Sequence, residues 1–347
     1  RSTIDDLWHA TVNTRGRMIQ ANQPEDIASA LTEIIQDVLD RSRRAGGVAG
    51  SSSRIDAGFL AYIPEYSGDD WTGDLKAYAL QSDGQLAATP TWSAAEKLAS
   101  VPAGSRNIFA VRDLAGSFSL VPFSVSGLGG ATGAQDALGI TPTDIAEMGN
   151  ATIDQIVAYL RGDRSREVIN GGPLRTRSAA IGDILNSQPA LNNAVNFGYA
   201  LLPPSEGGGA SGPGSYGAYV AAKRSRPPLV FVGSNDGMLH AVSSGPAGGD
   251  VKFSVIPNSV LGYMKELPKQ GYQHLYYVDG SPTQHDVRLG SAWRTMLLSY
   301  NGAGGKSIMA LDVTNAASGF GTDNFMWEFR HPNLGHVLNP PTVGLLE

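Results

Sequence analysis

The chain contains no cysteine, which excludes disulfide staples and thiolate metal sites. It has no apolar run near the ~18–20 residues that a membrane-crossing helix needs. Charge is sparse: 17% of the residues are Asp, Glu, Lys or Arg, and the net charge is −6. A basic stripe is missing as well. The dense basic runs are Arg41, Arg43 and Arg44, then Lys223, Arg224 and Arg226, each short and at the end of an expected element. Nucleic acid is therefore not an expected partner. No signal-peptide pattern opens the chain. Residue 1 falls straight into patterned sequence, so the natural N-terminus is expected further upstream.

What is plentiful is glycine, with 43 residues, alongside 20 prolines and a hydrophobic fraction of 41% in 347 residues. That apolar content can fill the core of one large all-β domain or two ordinary domains. The breakers are spread along the chain, where they read as turns between many short strands.

The first expected element is a helix. Asn22 suits its N-cap, Pro24 its first turn, and Glu25 and Asp26 its positive end. Ile27, Leu31, Ile34, Ile35 and Val38 then recur at helical spacing, and Gly46-Gly47 stop it. The small residues from Gly46 to Ser53 read as a linker. Residues 56–63, 71–78, 107–111 and 118–125 read as strands. Gly127 to Gly139 reads as a glycine-rich loop. A second helix begins at Asn150 or Thr152, buries Ile153, Ile156, Val157 and Leu160, and ends at Gly162. Pro203 to Gly217 reads as another loop.

Hairpins follow. Leu229–Gly233 and Met238–Val242 flank Asp236-Gly237, a strong turn signal. Tyr276–Gly280 with Asp286–Leu289, and Thr295–Tyr300 with Ser307–Val313, read as further pairs, and Phe325–Arg330 starts another strand. The hairpins share a plan of apolar strand, glycine-rich turn, then a strand with alanine near its end. Imperfect repeats of this kind suggest propeller blades, and Trp327 sits where quinoprotein-like blades often carry tryptophan. The expected fold is mainly β: an incomplete or modified β-propeller with an N-terminal helix and a few inserted helices.

Chemistry-bearing motifs are weak. Asn301-Gly-Ala-Gly-Gly-Lys-Ser307 approaches a phosphate loop, but Tyr300 stands where its first glycine is required, and a strand follows instead of a helix. There is no Gly-x-Ser-x-Gly. His9, His240, His274, His285, His331 and His336 form no zinc pattern, although His331 and His336 share one loop. Asp5-Asp6, Asp69-Asp70 and Ser234–Gly237 lack the spacing of a calcium loop. Asn150-Ala-Thr152 matches a glycosylation sequon but reads more plainly as a helix N-cap. Arg161-Gly162-Asp163 is the integrin-recognition tripeptide and the one candidate receptor-binding site. Its plainer reading is a helix end, a glycine stop and a turn. No catalytic, cofactor-binding or metal-binding residue is assigned.

Longer motifs carry more. Asp5-Asp-Leu-Trp-His-Ala-Thr-Val-Asn13 with Arg15-Gly16, Trp71-Thr-Gly-Asp-Leu-Lys-Ala-Tyr78, Tyr159–Asp163, Arg175–Pro189, Tyr216–Tyr219, Val232–Ala241, Val278–Thr283 and Ala310–Thr314 occur in one order. Together they resemble the PilC/PilY family of type IV pilus tip-associated proteins over nearly the whole chain. The resemblance implies that residues 1–45 end a von Willebrand A-like region, and that residues 46–347 begin the family's propeller. It implies a non-catalytic pilus biogenesis factor and tip adhesin that supports extension and retraction, twitching motility and attachment. Minor pilins at the pilus tip are the expected partners, with a host-cell receptor or an abiotic surface as the adhesion target. The expected location is the cell surface, reached through the periplasm and outer membrane. The family's calcium loop is expected beyond Glu347, so no cofactor is expected within these residues. Two alternatives stand beside this reading: a quinone-dependent dehydrogenase on a similar propeller, and an integrin-binding adhesin acting through Arg161, Gly162 and Asp163.

Overall fold

A computed structural model describes residues 49–50, 60–81, 85–192 and 195–344. The helix expected near the N-terminus, the Asp5–Asn13 motif, Asp5-Asp6 and His9 lie outside the described residues, and of the linker expected over Gly46–Ser53 only Ala49–Gly50 are described, as a short strand.

Among the described residues, fourteen strands form three sheets. The first joins β1 (Ala49–Gly50), β2 (Leu60–Ser67), β3 (Thr72–Ala79) and β4 (Trp92–Ser93) as an antiparallel meander in chain order. The third does the same with β11 (Thr283–Leu289), β12 (Ala292–Tyr300), β13 (Ile308–Asp312) and β14 (Phe325–Phe329). The middle sheet contains a third meander, β7 (Ala190–Leu191), β8 (Leu229–Gly233), β9 (Leu239–Ser243) and β10 (Val251–Ile256). A hairpin of β5 (Ile108–Leu114) and β6 (Ser117–Pro122) extends it through a parallel β5–β10 pairing. Four-stranded antiparallel meanders repeated along the chain are the blades of a propeller. No sheet closes on itself among the described residues.

The middle sheet is buried on both faces, and its sequence shows why. Side chains alternate across a strand, and the apolar run Leu-Val-Phe-Val of β8 supplies both sides. Leu229 and Phe231 enter the larger core, with Leu239, Ala241, Phe253 and Val255, and meet Leu297, Met309 and Leu311 of the third sheet. Val230 and Val232 enter a second core with Leu60, Tyr62, Leu75, Ala77 and Trp92 of the first sheet. Each such side chain, fully buried, contributes about 1.5–3 kcal/mol.

Short helices fill the connections. The β4 strand runs directly into α1 (Ala94–Ala99), capped by Ser93. Between β6 and β7 lie α2 (Gly130–Ala137), α3 (Pro142–Glu147) and α4 (Ile153–Leu160). Thr152, not Asn150, caps α4, in a capping box with Gln155. The helix buries Ile156, Val157, Tyr159 and Leu160. The loop expected over Gly127–Gly139 is instead largely α2, because Leu128, Ala134 and Leu138 are buried in the main core and packing outweighs the glycines. The strand expected at Tyr276–Gly280 is also absent. Residues 277–280 are buried but make no ladder, and β11 pairs with β12 instead.

Between β7 and β8 the chain makes a long excursion ending in α5 (Tyr216–Arg224). Tyr216, Val220 and Trp293 of β12 form its core, with Phe197 and Tyr199 packed against them. Lys223, read from sequence as part of a basic run, is buried. Its Nζ lies 2.8 Å from Asp286 of β11, whose carboxylate also accepts from Tyr216 Oη at 2.8 Å and Thr295 Oγ1 at 3.0 Å. Removing one partner of a buried ion pair leaves a charge without compensation. Asp286→Ala is therefore expected to cost about 3–5 kcal/mol, measured as a lower urea midpoint than in the unsubstituted chain.

Candidate interaction site at the blade junction

The segment from Ile181 to Ser187 links β3 of the first sheet, the β8–β9 hairpin of the middle sheet and the 279–280 segment that leads into the third. Ile181 C=O accepts from Gly73 N–H of β3 at 2.9 Å. Asp183 C=O accepts from Asn235 N–H at 2.9 Å, in the turn that joins β8 to β9. Asn186 donates its backbone N–H and its Nδ2 to Asp279, at 3.2 and 2.7 Å. Ser187 Oγ donates to Gly280 C=O at 3.0 Å and accepts from Gly233 N–H at 2.8 Å. The approach is close enough to require glycine: a side chain at Gly182 would overlap the backbone of Asn235 and Asp236, and one at Gly73 would overlap Gly182 C=O.

Buried carboxylates mark this junction. Asp183 Oδ2 meets Asn235 Nδ2 at 2.7 Å and His274 Nε2 at 2.9 Å, while its Oδ1 is buried with no partner among the described residues. Trp71, at the β2–β3 turn with φ of 55°, lies over the His274 ring at 4.0 Å between centroids. Burial pushes the Asp279 carboxyl up, against the hydrogen bonds from Asn186. Asn235 Oδ1 accepts from Tyr277 N–H at 2.9 Å and Asn301 C=O from Asp279 N–H at 3.3 Å, so the 276–280 segment finds scattered partners instead of a neighbouring strand.

Beside the junction, His240 of β9 bridges Asp236 and Ser254 of β10, with Nε2 2.9 Å from Asp236 Oδ2 and Nδ1 2.8 Å from Ser254 Oγ. Serine, histidine and aspartate in contact invite comparison with a hydrolase triad. The ring is used the other way round, however: in a triad the nucleophile faces Nε2 and the carboxylate orients Nδ1. Ser254 is 2% exposed. The trio acts here as a clamp between the turn and β10. Burial raises the Asp236 carboxyl, but the charge and hydrogen bond of His240, with the Gly182 N–H and Ser234, outweigh it and hold the group below its ordinary value. These three residues also line a cavity of about 100 Å³ at the β5–β10 seam, together with Arg106, Arg161 and Leu160.

The tripeptide singled out from sequence sits on this cavity's far element, the end of α4. The Arg161 guanidinium donates to the carbonyls of Ala103, Gly104, Arg106 and Phe123. Gly162 is buried at a φ of 97°, and a side chain there would overlap the Arg106 guanidinium. Asp163 Oδ1 accepts from Ser165 N–H at 2.7 Å, and its carbonyl accepts from Arg177. The geometry supports the reading of a helix stop, with the arginine turned inward. Elsewhere, Gly302–Gly304 is a turn between the paired strands β12 and β13, a hairpin connection and not a phosphate loop. His331 and His336 bond their own loop and Gly302 C=O respectively. Asp70 bonds Thr72 and Ser178. No cluster of three His, Asp or Glu residues is placed to hold a metal among the described residues.

The family model described as the PilY1 beta-propeller domain matches residues 181–331, from the first residue of the junction segment to just past β14. The type IV pilus biogenesis factor PilY1 of Pseudomonas aeruginosa strain PAK is 34% identical over 99% of this chain and 29% of its own length. The chain belongs to the PilY1/PilC family. A PilY1 homolog of Xylella fastidiosa is 30% identical over 98% of the chain and 25% of its own length. The chain thus spans less than a third of these PilY1 relatives. The crystal structure of the Pseudomonas aeruginosa PilY1 C-terminal domain aligns at 32% identity and a TM-score of 0.34, over 45% of this chain and 29% of that one. Within the family's matched region, the side chains that hold the junction are Asn186, Ser187, Asn235 and Asp279. Sequence reading saw their motifs without seeing that they meet, since their separations of 46 and 93 positions carry no local signal.

Two outcomes follow from this geometry. Gly162→Ala, forced into a left-handed conformation against Arg106, is expected to cost about 1–3 kcal/mol, read as a lower thermal midpoint. The depressed Asp236 carboxyl contributes stability at pH values above the ordinary Asp range near 3.9, and that contribution is lost as pH falls through the lowered value. His240→Gln removes the attraction, so the acid-unfolding midpoint should move to higher pH, followed by tryptophan fluorescence.

Proposed function

We propose that this chain serves type IV pilus biogenesis as a non-catalytic assembly and adhesion platform at the pilus tip. The observation that supports it best is the agreement between the family match and the junction. The region matched as a PilY1 propeller carries the residues that lock the blades together, and relatives similar over nearly the whole chain are named type IV pilus biogenesis factors. The junction's polar groups bond one another, which suits a rigid support for binding loops at the blade ends. On this reading the protein is exported, associates with pilus components such as minor pilins, and acts in extension and retraction, twitching and attachment. The relatives' names favour it over the dehydrogenase alternative. Calcium remains a property proposed for the longer protein.

The test is genetic. In a strain deleted for the gene, the full-length gene should restore surface pili and twitching. Asn186→Leu, which breaks the junction, should restore neither, while Asp163→Glu and Ser254→Ala should restore both. Normal piliation in the deletion strain would refute the assignment, and loss of piliation with a folded, exported Ser254→Ala protein would reopen catalysis.

A further inference from the structure

The cavity at the β5–β10 seam holds more positive charge than its own walls neutralise. Arg106, Arg161 and Lys252 line it, with Asp236 as the one carboxylate among the lining residues. Asp236 is already committed. Its Oδ2 accepts from His240 Nε2 and Gly182 N–H, and its Oδ1 from Met238 N–H. Lys252 lies 3.7 Å from Asp250, outside the lining. Arg161 spends its donors on four backbone carbonyls, which satisfy hydrogen bonding without cancelling charge.

Arg106 is the group left with capacity. Its Nε donates to Val101 C=O at 3.2 Å, Nη1 to Arg161 C=O at 3.0 Å and Nη2 to Leu98 C=O at 2.9 Å. A guanidinium has five N–H groups, so one remains on each terminal nitrogen. Two free N–H groups are enough to serve the two oxygens of a carboxylate. The side chain is also fixed in place, because its Nη1 packs on the Cα of Gly162, where no larger residue fits. Burial, then the nearby charges of Arg177 and Arg161, push Arg106 down to about 10. An anion in the cavity would relieve that pressure.

The remaining walls choose the kind of anion. Leu98, Ile108, Leu160, Met238 and Val251 make much of the lining apolar. A volume of about 100 Å³ far exceeds the room for one water, which needs roughly 10–15 Å³. A phosphate dianion would need more unpaired donors than Arg106 offers and would gain nothing from the hydrocarbon wall. We propose that this cavity binds a short aliphatic carboxylate, its oxygens held by the two free N–H groups of Arg106 and its tail among Leu98, Ile108, Leu160 and Met238. The inference stands on the cavity alone and does not depend on the pilus reading.

The test is titration of the purified chain with butyrate, acetate, inorganic phosphate and chloride at constant ionic strength, by calorimetry and thermal unfolding. Butyrate should bind saturably and raise the melting temperature, about tenfold tighter than acetate from its two extra methylenes. Arg106→Gln should weaken butyrate binding at least tenfold. Because Arg106 also ties three carbonyls, Ala180→Leu provides a second variant: it fills the cavity, leaves the guanidinium in place and should weaken binding equally. Butyrate no tighter than chloride, a preference for phosphate, or undiminished binding in a folded Ala180→Leu protein would overturn the proposal.

Discussion

Burial of the middle sheet on both faces is the constraint from which the rest of the structure follows. A sheet with one apolar face needs one partner, whereas β8 offers Leu229 and Phe231 to one side and Val230 and Val232 to the other. Two further sheets must then pack against it, each presenting an apolar face of its own. Leu75 and Ala77 of β3 serve one side, and Leu297 and Leu311 of β12 and β13 the other. Blades stacked face to face are the natural result, because each added meander covers one face and exposes the next. The third sheet shows this directly, since Met296, Leu298 and Ala310 gather on its other face in a separate small cluster.

Stacking sheets brings their turns together, and turns carry backbone groups that cannot go unpaired when buried. The 181–187 segment resolves this. It threads the junction and supplies donors and acceptors to β3, to the 234–237 turn and to the 277–280 segment in sequence. Its glycine permits the approach, and its Asp, Asn and Ser side chains supply the bonds. This division of labour orders the junction: the fold is driven by apolar burial, and its geometry is specified by a largely paired polar network.

The same inward turn of polar groups shapes what the surface can do. Lys223, Arg161, Arg177 and His240 all spend their polar atoms on buried partners. The exterior offers aromatic groups instead, among them the exposed Tyr263, Tyr276 and Trp327. Arg106, by contrast, is a half-buried cation that keeps unused donors at the edge of open space.

Much of the β architecture was legible from residues alone. Alternation and turn chemistry marked β3, β8, β9, β12, β13 and β14, and a cap candidate, an apolar stripe and a glycine stop marked α4, because these signals are local and repeat with the period of the backbone. The sequence misled where local preference and packing disagree. Glycines argued against α2, which exists because Ala134 and Leu138 are buried, and apolar Tyr277 and Val278 argued for a strand where the partners are scattered. The junction was legible only as separate motifs. By itself, the amino-acid order determined the family, the β8–β9 and β12–β13 pairs and the absence of thiol chemistry. The meeting of Asn186 with Asp279, the inward guanidinium of Arg161 and the cavity beside Arg106 were decided by the tertiary structure, since contacts between residues tens of positions apart exist only once the sheets have packed.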